Sequence, residues 1–165
     1  MENEIVLDPV EFITVGTVGP KGRRIFYLQG GKGPELISLT IEKQQAQALG
    51  EAIVELLDSL HEKYPDLSED TTHISRWNMD LRDPIDSLFR VAQMGLGYDE
   101  ERNMVMIVAQ ELVISDESLP EPSPQIVRFF ATCEQMRALS EHAARIVQQG
   151  RADPKTNGFM IYYWT

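Results

Sequence analysis

Two stretches of the chain repeat one pattern of apolar and polar positions. Ile37, Leu39 and Ile41 alternate with Ser38 and Thr40, the period of a strand that buries one face. Val127, Phe129 and Ala131 repeat that phase, with Phe130 falling on the polar side. Each run leads into an apolar stripe at helical spacing. The first is Ala46, Leu49, Ile53, Leu56, Leu57 and Leu60; the second is Met136, Leu139, Ala143, Ile146 and Val147. Thr132 and Gln135 have the spacing of a capping box at the start of the second helix. Pro65 stops the first helix and Gly150 the second.

Placed with Glu35 over Gln125, the two stretches align without a gap, and Gln45, Ala48, Leu49 and Glu51 fall on Gln135, Ala138, Leu139 and Glu141. A further strand pair precedes each one. "EFITVGTVGPKGRRIFYLQ" reads as strand, Gly-Pro-Lys-Gly turn, strand; "SLFRVAQMGLGYDEERNMVMIVAQEL" reads as strand, Tyr-Asp-Glu-Glu-Arg turn, strand. Gly16 and Gly95, and Gln29 and Gln110, take matching places. The pattern predicts a single α+β domain made of two β-β-β-α repeats, residues 10–64 and 88–150, joined by a connector over 65–87. Such repeats imply a mainly antiparallel sheet of about six strands carrying two amphipathic helices, with pseudo-two-fold symmetry. "MVMIVA" is apolar on both faces and reads as a central strand. "SDESLPEPSP" reads as a solvated loop, and residues 151–165 form an apolar tail.

Composition narrows the functional classes. Fifteen Lys and Arg stand against 26 Asp and Glu, a net charge of −11, which opposes nonspecific binding to nucleic acid or anionic lipid. No secretory signal and no run of transmembrane length is visible, so the expected location is the cytoplasm, with no nucleic-acid or membrane partner. Cys133 is the one cysteine, which excludes an intrachain disulfide and a cysteine-based zinc site.

Catalytic patterns are absent from the sequence. No Ser lies in a G-x-S-x-G elbow, and no His belongs to an H-x-x-x-H or H-E-x-x-H pair, so no catalytic residue, metal or other cofactor is assigned. His61 and His142 lie on charged helical sequence and read as surface residues. Cys133, at a helix start, reads as a small buried residue rather than a nucleophile. "GTVGPKG" and "QGGKG" link strand to strand without a following Ser or Thr, so they read as hairpin turns, not phosphate loops.

The connector holds the candidate site. "HISRWNMDLRDP" gathers His73, Arg76, Trp77, Asp80 and Arg82, with Asn78 and Asp83 among them. Trp77 suits stacking or anchoring a partner, and arginines suit clamping an anion. The competing expectation is that Trp77 and Ile74 plug the sheet while Arg and Asp pair around them. Arg90 and Arg128 either join this cluster or pair with acids.

"VGTVGPKGRRIFYLQ", "ISLTIEKQQAQALGEAIVELL", "LFRVAQMGLGYDEERNMVMIVAQE" and "ATCEQMRALSEHAARIVQQGR" resemble the uncharacterised domain-of-unknown-function family 3090, found mainly in actinobacteria and chloroflexi. The resemblance spans about residues 8 to 151. It implies a bacterial protein whose gene neighbours encode phosphatase-like and kinase-like proteins, and hence shared work on phosphorylated molecules. Members of that family usually carry a zinc-ribbon-type cysteine stretch near the C-terminus. Here "GRADPKTNGF" keeps Gly150-Arg151 and Asn157-Gly158 without the cysteines, so no metal ligand is carried over.

A regular core pattern without a catalytic set points to a noncatalytic interaction or regulatory protein that binds a protein partner or small ligand. The alternative is an enzyme or ligand-sensing subunit acting on a phosphorylated metabolite through Arg76, Arg82 and neighbouring acids. Phe159, Ile161, Tyr163 and Trp164 of the tail are strong strand formers, expected to dock on their own domain or on a second subunit of a homo-oligomer.

Overall fold

A computed structural model describes residues 3–65, 77–114 and 123–149. Among them are seven strands and two helices: β1 (Glu4–Leu7), β2 (Phe12–Val18), β3 (Ile25–Lys32), β4 (Glu35–Ile41), α1 (Lys43–Lys63), β5 (Ser87–Asp99), β6 (Met104–Glu111), β7 (Ile126–Thr132) and α2 (Cys133–Gln149). The protein is thus α+β, but its sheet is mixed and has seven strands where about six antiparallel ones are expected, in the order β1-β7-β6-β5-β4-β3-β2. β1 with β7 and β4 with β5 are parallel pairs, and the other neighbours are antiparallel.

The strand missing from the sequence pattern is β1. Its four residues, Glu-Ile-Val-Leu, are too few to display a period, and Pro9 cuts them from β2. Proline has no N–H for a ladder, so pairing lapses there and resumes with different partners. The Val10 N–H donates to Phe130 O at 2.8 Å on the β7 side, and the Glu11 N–H donates to Gly31 O at 2.7 Å on the β3 side. Residues 8–11 therefore join the two ends of the sheet, which closes on itself. Phe129 of β7 crosses the enclosed interior to Gly30 of β3, where a Cβ would stand 2.7 Å from its ring. Only glycine leaves room for that ring.

The core lines the inner face of the closed sheet. Val15, Leu28, Leu39, Val105, Ile107, Val127 and Phe129 are fully buried there with the helix residues Leu49, Ile53, Met136 and Leu139. Both expected apolar stripes face inward, and α1 ends before Pro65 as its sequence requires. The two glycine-bearing segments are turns: Gly19, Gly22 and Gly33 hold φ values of 108°, 88° and 58°, a region that side chains disfavour.

Two glutamines link the helices to the bends in the sheet. Gln45 Oε1 accepts from the Glu42 N–H at 2.7 Å, and its Nε2 donates to Val91 O at 3.2 Å and Ala92 O at 3.4 Å. Gln135 Oε1 accepts from the Thr132 N–H at 2.8 Å, and its Nε2 donates to Val10 O at 3.2 Å and Glu11 O at 3.4 Å. The Gln135 N–H also bonds Thr132 Oγ1 at 3.1 Å, completing the expected capping box. Each glutamine caps its own helix and satisfies carbonyls where a strand changes partners.

Candidate binding cleft

The outer face of β2, β3 and β4 carries a row of polar side chains. Thr14, Gln29 and Ser38 face one another across the ladders, and none is accessible to solvent beyond 1%. Polar groups buried this deeply require partners, and residues 77–86 supply them. The Gln29 side chain behaves like a strand neighbour: Oε1 accepts from the Arg82 N–H at 2.8 Å, and Nε2 donates to Arg82 O at 2.9 Å. Nε2 also donates to Ser38 Oγ at 3.0 Å. Thr14 Oγ1 donates to Met79 O at 2.5 Å, and Thr40 and Ser87 share a hydroxyl bond of 2.6 Å. Leu81 seats where β2 has Gly16; a Cβ there would stand 2.5 Å from Leu81 Cγ. Residues 77–86, the described part of the connector before β5, form a strap over the sheet.

Of the two residues expected to plug the sheet, Ile74 lies outside the described residues. Leu81 fills the notch, while Trp77 remains 39% exposed at the entry of the strap. Beneath Trp77, Met79 and Arg82 opens a cleft of about 350 Å³, closed on its other walls by Glu11, Phe12 and Gln135. The Arg82 guanidinium lies flat over Phe12, 3.6 Å from the ring centroid, a cation–π contact that orients its donors. Among the described residues Arg82 forms no ion pair. Glu11, the cleft's carboxylate, accepts a short hydrogen bond from the Gly33 N–H.

Of the residues singled out by sequence, Trp77, Asn78 and Arg82 meet in the cleft. Asp80 is close by but outside its lining; its N–H donates to Asn78 Oδ1 at 2.9 Å, and its carboxylate acts electrostatically on His142. His73, Arg76 and the tail residues Phe159, Ile161, Tyr163 and Trp164 lie outside the described residues. Arg90 and Arg128 pair with acids away from the cleft, Arg90 with Glu42 at 2.6 Å and Arg128 with Glu4 at 2.8 Å. Phe12 and Gln135 carried no sequence signal for this role, because contact with the strap depends on how distant segments fold together.

Two other groups differ from a surface reading or sit apart. His142 is half-buried rather than exposed. Burial holds its pKa below the ordinary 6.5, as does Arg145, against the opposing effects of Asp80 and a hydrogen bond to the Val15 backbone. Cys133 is buried at the start of α2, with Sγ 3.5 Å from Asn103 Oδ1, which also accepts from the Tyr98 hydroxyl at 2.6 Å. Burial, first, and the charges of Cys133 and Asp99 raise the Tyr98 pKa. On the same side Arg102 makes a bidentate pair with Asp8 and bonds Asp99, and its guanidinium lies 5.0 Å from the Phe130 ring. That contact accounts for the aromatic on the polar side of β7.

Among the described residues no group of His, Cys, Asp and Glu is placed to hold a metal ion, and no helix is long and apolar enough to cross a membrane. No curated protein and no solved structure matches the chain significantly. The family model described as "Protein of unknown function (DUF3090)" matches residues 5–156, nearly the full length, and the chain belongs to that family.

Proposed function

We propose that the protein is a noncatalytic binding module whose strap cleft takes a small anionic molecule, a phosphate or carboxylate bearing a planar group. The observation that carries this reading is the Arg82 guanidinium, held on Phe12 without a carboxylate partner among the described residues, in the same cleft as Trp77. A planar guanidinium offers paired donors to an oxyanion, and an indole offers a stacking face. The cleft's size, about 350 Å³, lies in the range of small-molecule sites rather than flat protein interfaces. Among the described residues that line it, the one carboxylate is engaged by a backbone N–H and there is neither His nor Cys, which supports binding rather than acid–base catalysis.

The same reading treats the chain as one domain built from two copies of a β-β-β-α unit. The matching bonds of Gln45 and Gln135 support it, as does strand pairing. β5 begins parallel to β4 and continues antiparallel to β6; β1 runs parallel to β7, and β2 antiparallel to β3.

The test is a titration of the Trp164→Phe chain, whose one tryptophan is then Trp77, following its fluorescence and melting temperature with inorganic phosphate, nucleotides, sugar phosphates and aromatic carboxylates. A ligand should shift both in the parent, and Arg82→Ala should abolish the response while leaving the melting temperature of the free protein nearly unchanged. An effect retained in Arg82→Ala, or no response to any member of the panel, overturns the proposal.

A further inference from the structure

A second opening lies away from the strap, between the two helices. Its floor is apolar and small: Gly50 and Val54 of α1 face Ala144 and Val147 of α2, with Gln47 and Gln148 at the rim. Gly50 lets the helices approach closely; a Cβ there would stand 3.4 Å from the Ala143 Cβ and 3.5 Å from Ser140 O. Close approach at one level leaves a groove of about 400 Å³ beside it, into which Val54 projects, 39% exposed. Val54 is off the inward stripe of α1, so the core pattern does not require an apolar residue there.

We propose that this groove is occupied in cis by residues 159–164 of the same chain, Phe-Met-Ile-Tyr-Tyr-Trp. Proximity is the first argument. Val147 and Gln148 line the groove and immediately precede Gln149, the last described residue of α2, so the tail begins beside the groove. The link of residues 150–158 spans up to about 30 Å when extended, and the groove it would fold back over is lined by Gln148 itself together with Gly50 and Val54. Composition is the second. Six consecutive apolar and aromatic residues lose favourable burial if left in water, and the groove offers apolar surface that the rest of the core does not cover. Charge is the third. The link carries Arg151 and Lys155 against one acid, Asp153, while the exposed face of α1 beside the groove carries Glu51 and Glu55, with Asp58 next to them already paired with Arg137 of α2 at 3.7 Å. Opposite charges on the two segments favour the same placement.

The experiment uses the full chain with Trp77→Phe, which leaves Trp164 as the one tryptophan. Emission blue-shifted from that of the urea-unfolded chain and protected from acrylamide, with a monomer mass, is the expected result. Val54→Asp and, separately, Ala144→Glu should each move the emission to the solvent-exposed wavelength while circular dichroism of the fold persists. Either substitution suffices if the other fails to fold. Solvent-exposed emission in the parent overturns the proposal, as does a blue shift indifferent to both substitutions. A blue shift that disappears on dilution together with a dimer mass assigns the groove to a second copy's tail and overturns docking in cis.

Discussion

The two places where a strand changes partners make an instructive comparison. β5 does so without stopping: its thirteen residues run from a parallel neighbour to an antiparallel one, with register shifts opposite Ser38–Thr40 of β4 and between Val91 and Gln93. β1 and β2 do the same job with a gap, because Pro9 cannot donate to a ladder. At both bends a glutamine from the first turn of a helix reaches two backbone carbonyls at nearly equal distances. Their surroundings differ. Gln45 is sealed, 2% exposed, whereas Gln135 forms part of the cleft wall. The interrupted bend is thus the one that opens onto the cleft, with Glu11, Phe12 and Ile13 lining it directly after the gap. Equal backbone bonding at the two bends leaves the sheet intact at both while only one is accessible.

The comparison can be broken most severely at Phe129. Its ring joins β7, the partner of β1, to β3, the partner of β2, so it spans the gap through the interior. Phe129→Ala should cost about 3–5 kcal/mol of unfolding free energy in urea titration. A loss under about 1 kcal/mol would mean that the closed sheet does not depend on this crossing.

The glutamines sharpen the comparison next. Gln45→Ala leaves buried carbonyls and a helix end without partners and should cost about 2–3 kcal/mol. Gln135→Ala exposes its carbonyls to a cleft that admits water, and about 1 kcal/mol is expected. Parallel denaturant titrations of the two variants check this order, and equal losses would contradict a sealed bend and an open one.

The smallest effect concerns pH on the interrupted side. His142 of α2 faces Asp80 of the strap and the Val15 backbone of β2, with Arg145 on its own helix. Its folded pKa is lowered mainly by burial, so below its ordinary 6.5 the unfolded chain binds the proton more readily than the folded one. Stability should therefore fall as pH drops from about 7.5 to about 5.5, and His142→Gln should flatten that fall by less than about 1 kcal/mol. Melting temperatures of the two proteins across this range measure it, and identical slopes would refute the assignment.

Much of the secondary structure was legible along the chain because burial on one face writes a period into the sequence. Val127, Phe129 and Ala131 alternate, the two helical stripes recur at helical spacing, and the Thr132–Gln135 cap is a local contact, so each is readable within one segment. β1 escaped notice because four residues hold too little pattern. The parallel pairing escaped because a strand's sequence does not encode the direction of its neighbour. The burial of Thr14, Gln29 and Ser38 is not legible in the sequence, since polar residues alternating with apolar ones look the same under water and under a strap. The candidate site was legible only as a cluster: Trp77 and Arg82 stood together, but nothing local connected Arg82 to Phe12 or Trp77 to Gln135.

The sequence by itself determined an α+β chain with two inward-facing helices, hairpin turns at its glycines, and a connector rich in groups able to bind. Each of these follows from interactions between residues near one another along the chain. Tertiary structure alone decided that the sheet closes through residues 8–11, that Gln29 is satisfied by the Arg82 backbone, and that Phe12 becomes the platform for the Arg82 guanidinium. Those contacts join segments 50 or more residues apart in most cases, as Gln29 and Arg82 are at a separation of 53. No local propensity specifies such a meeting; it arises when the whole sheet buries its apolar face and every buried polar group must find a partner.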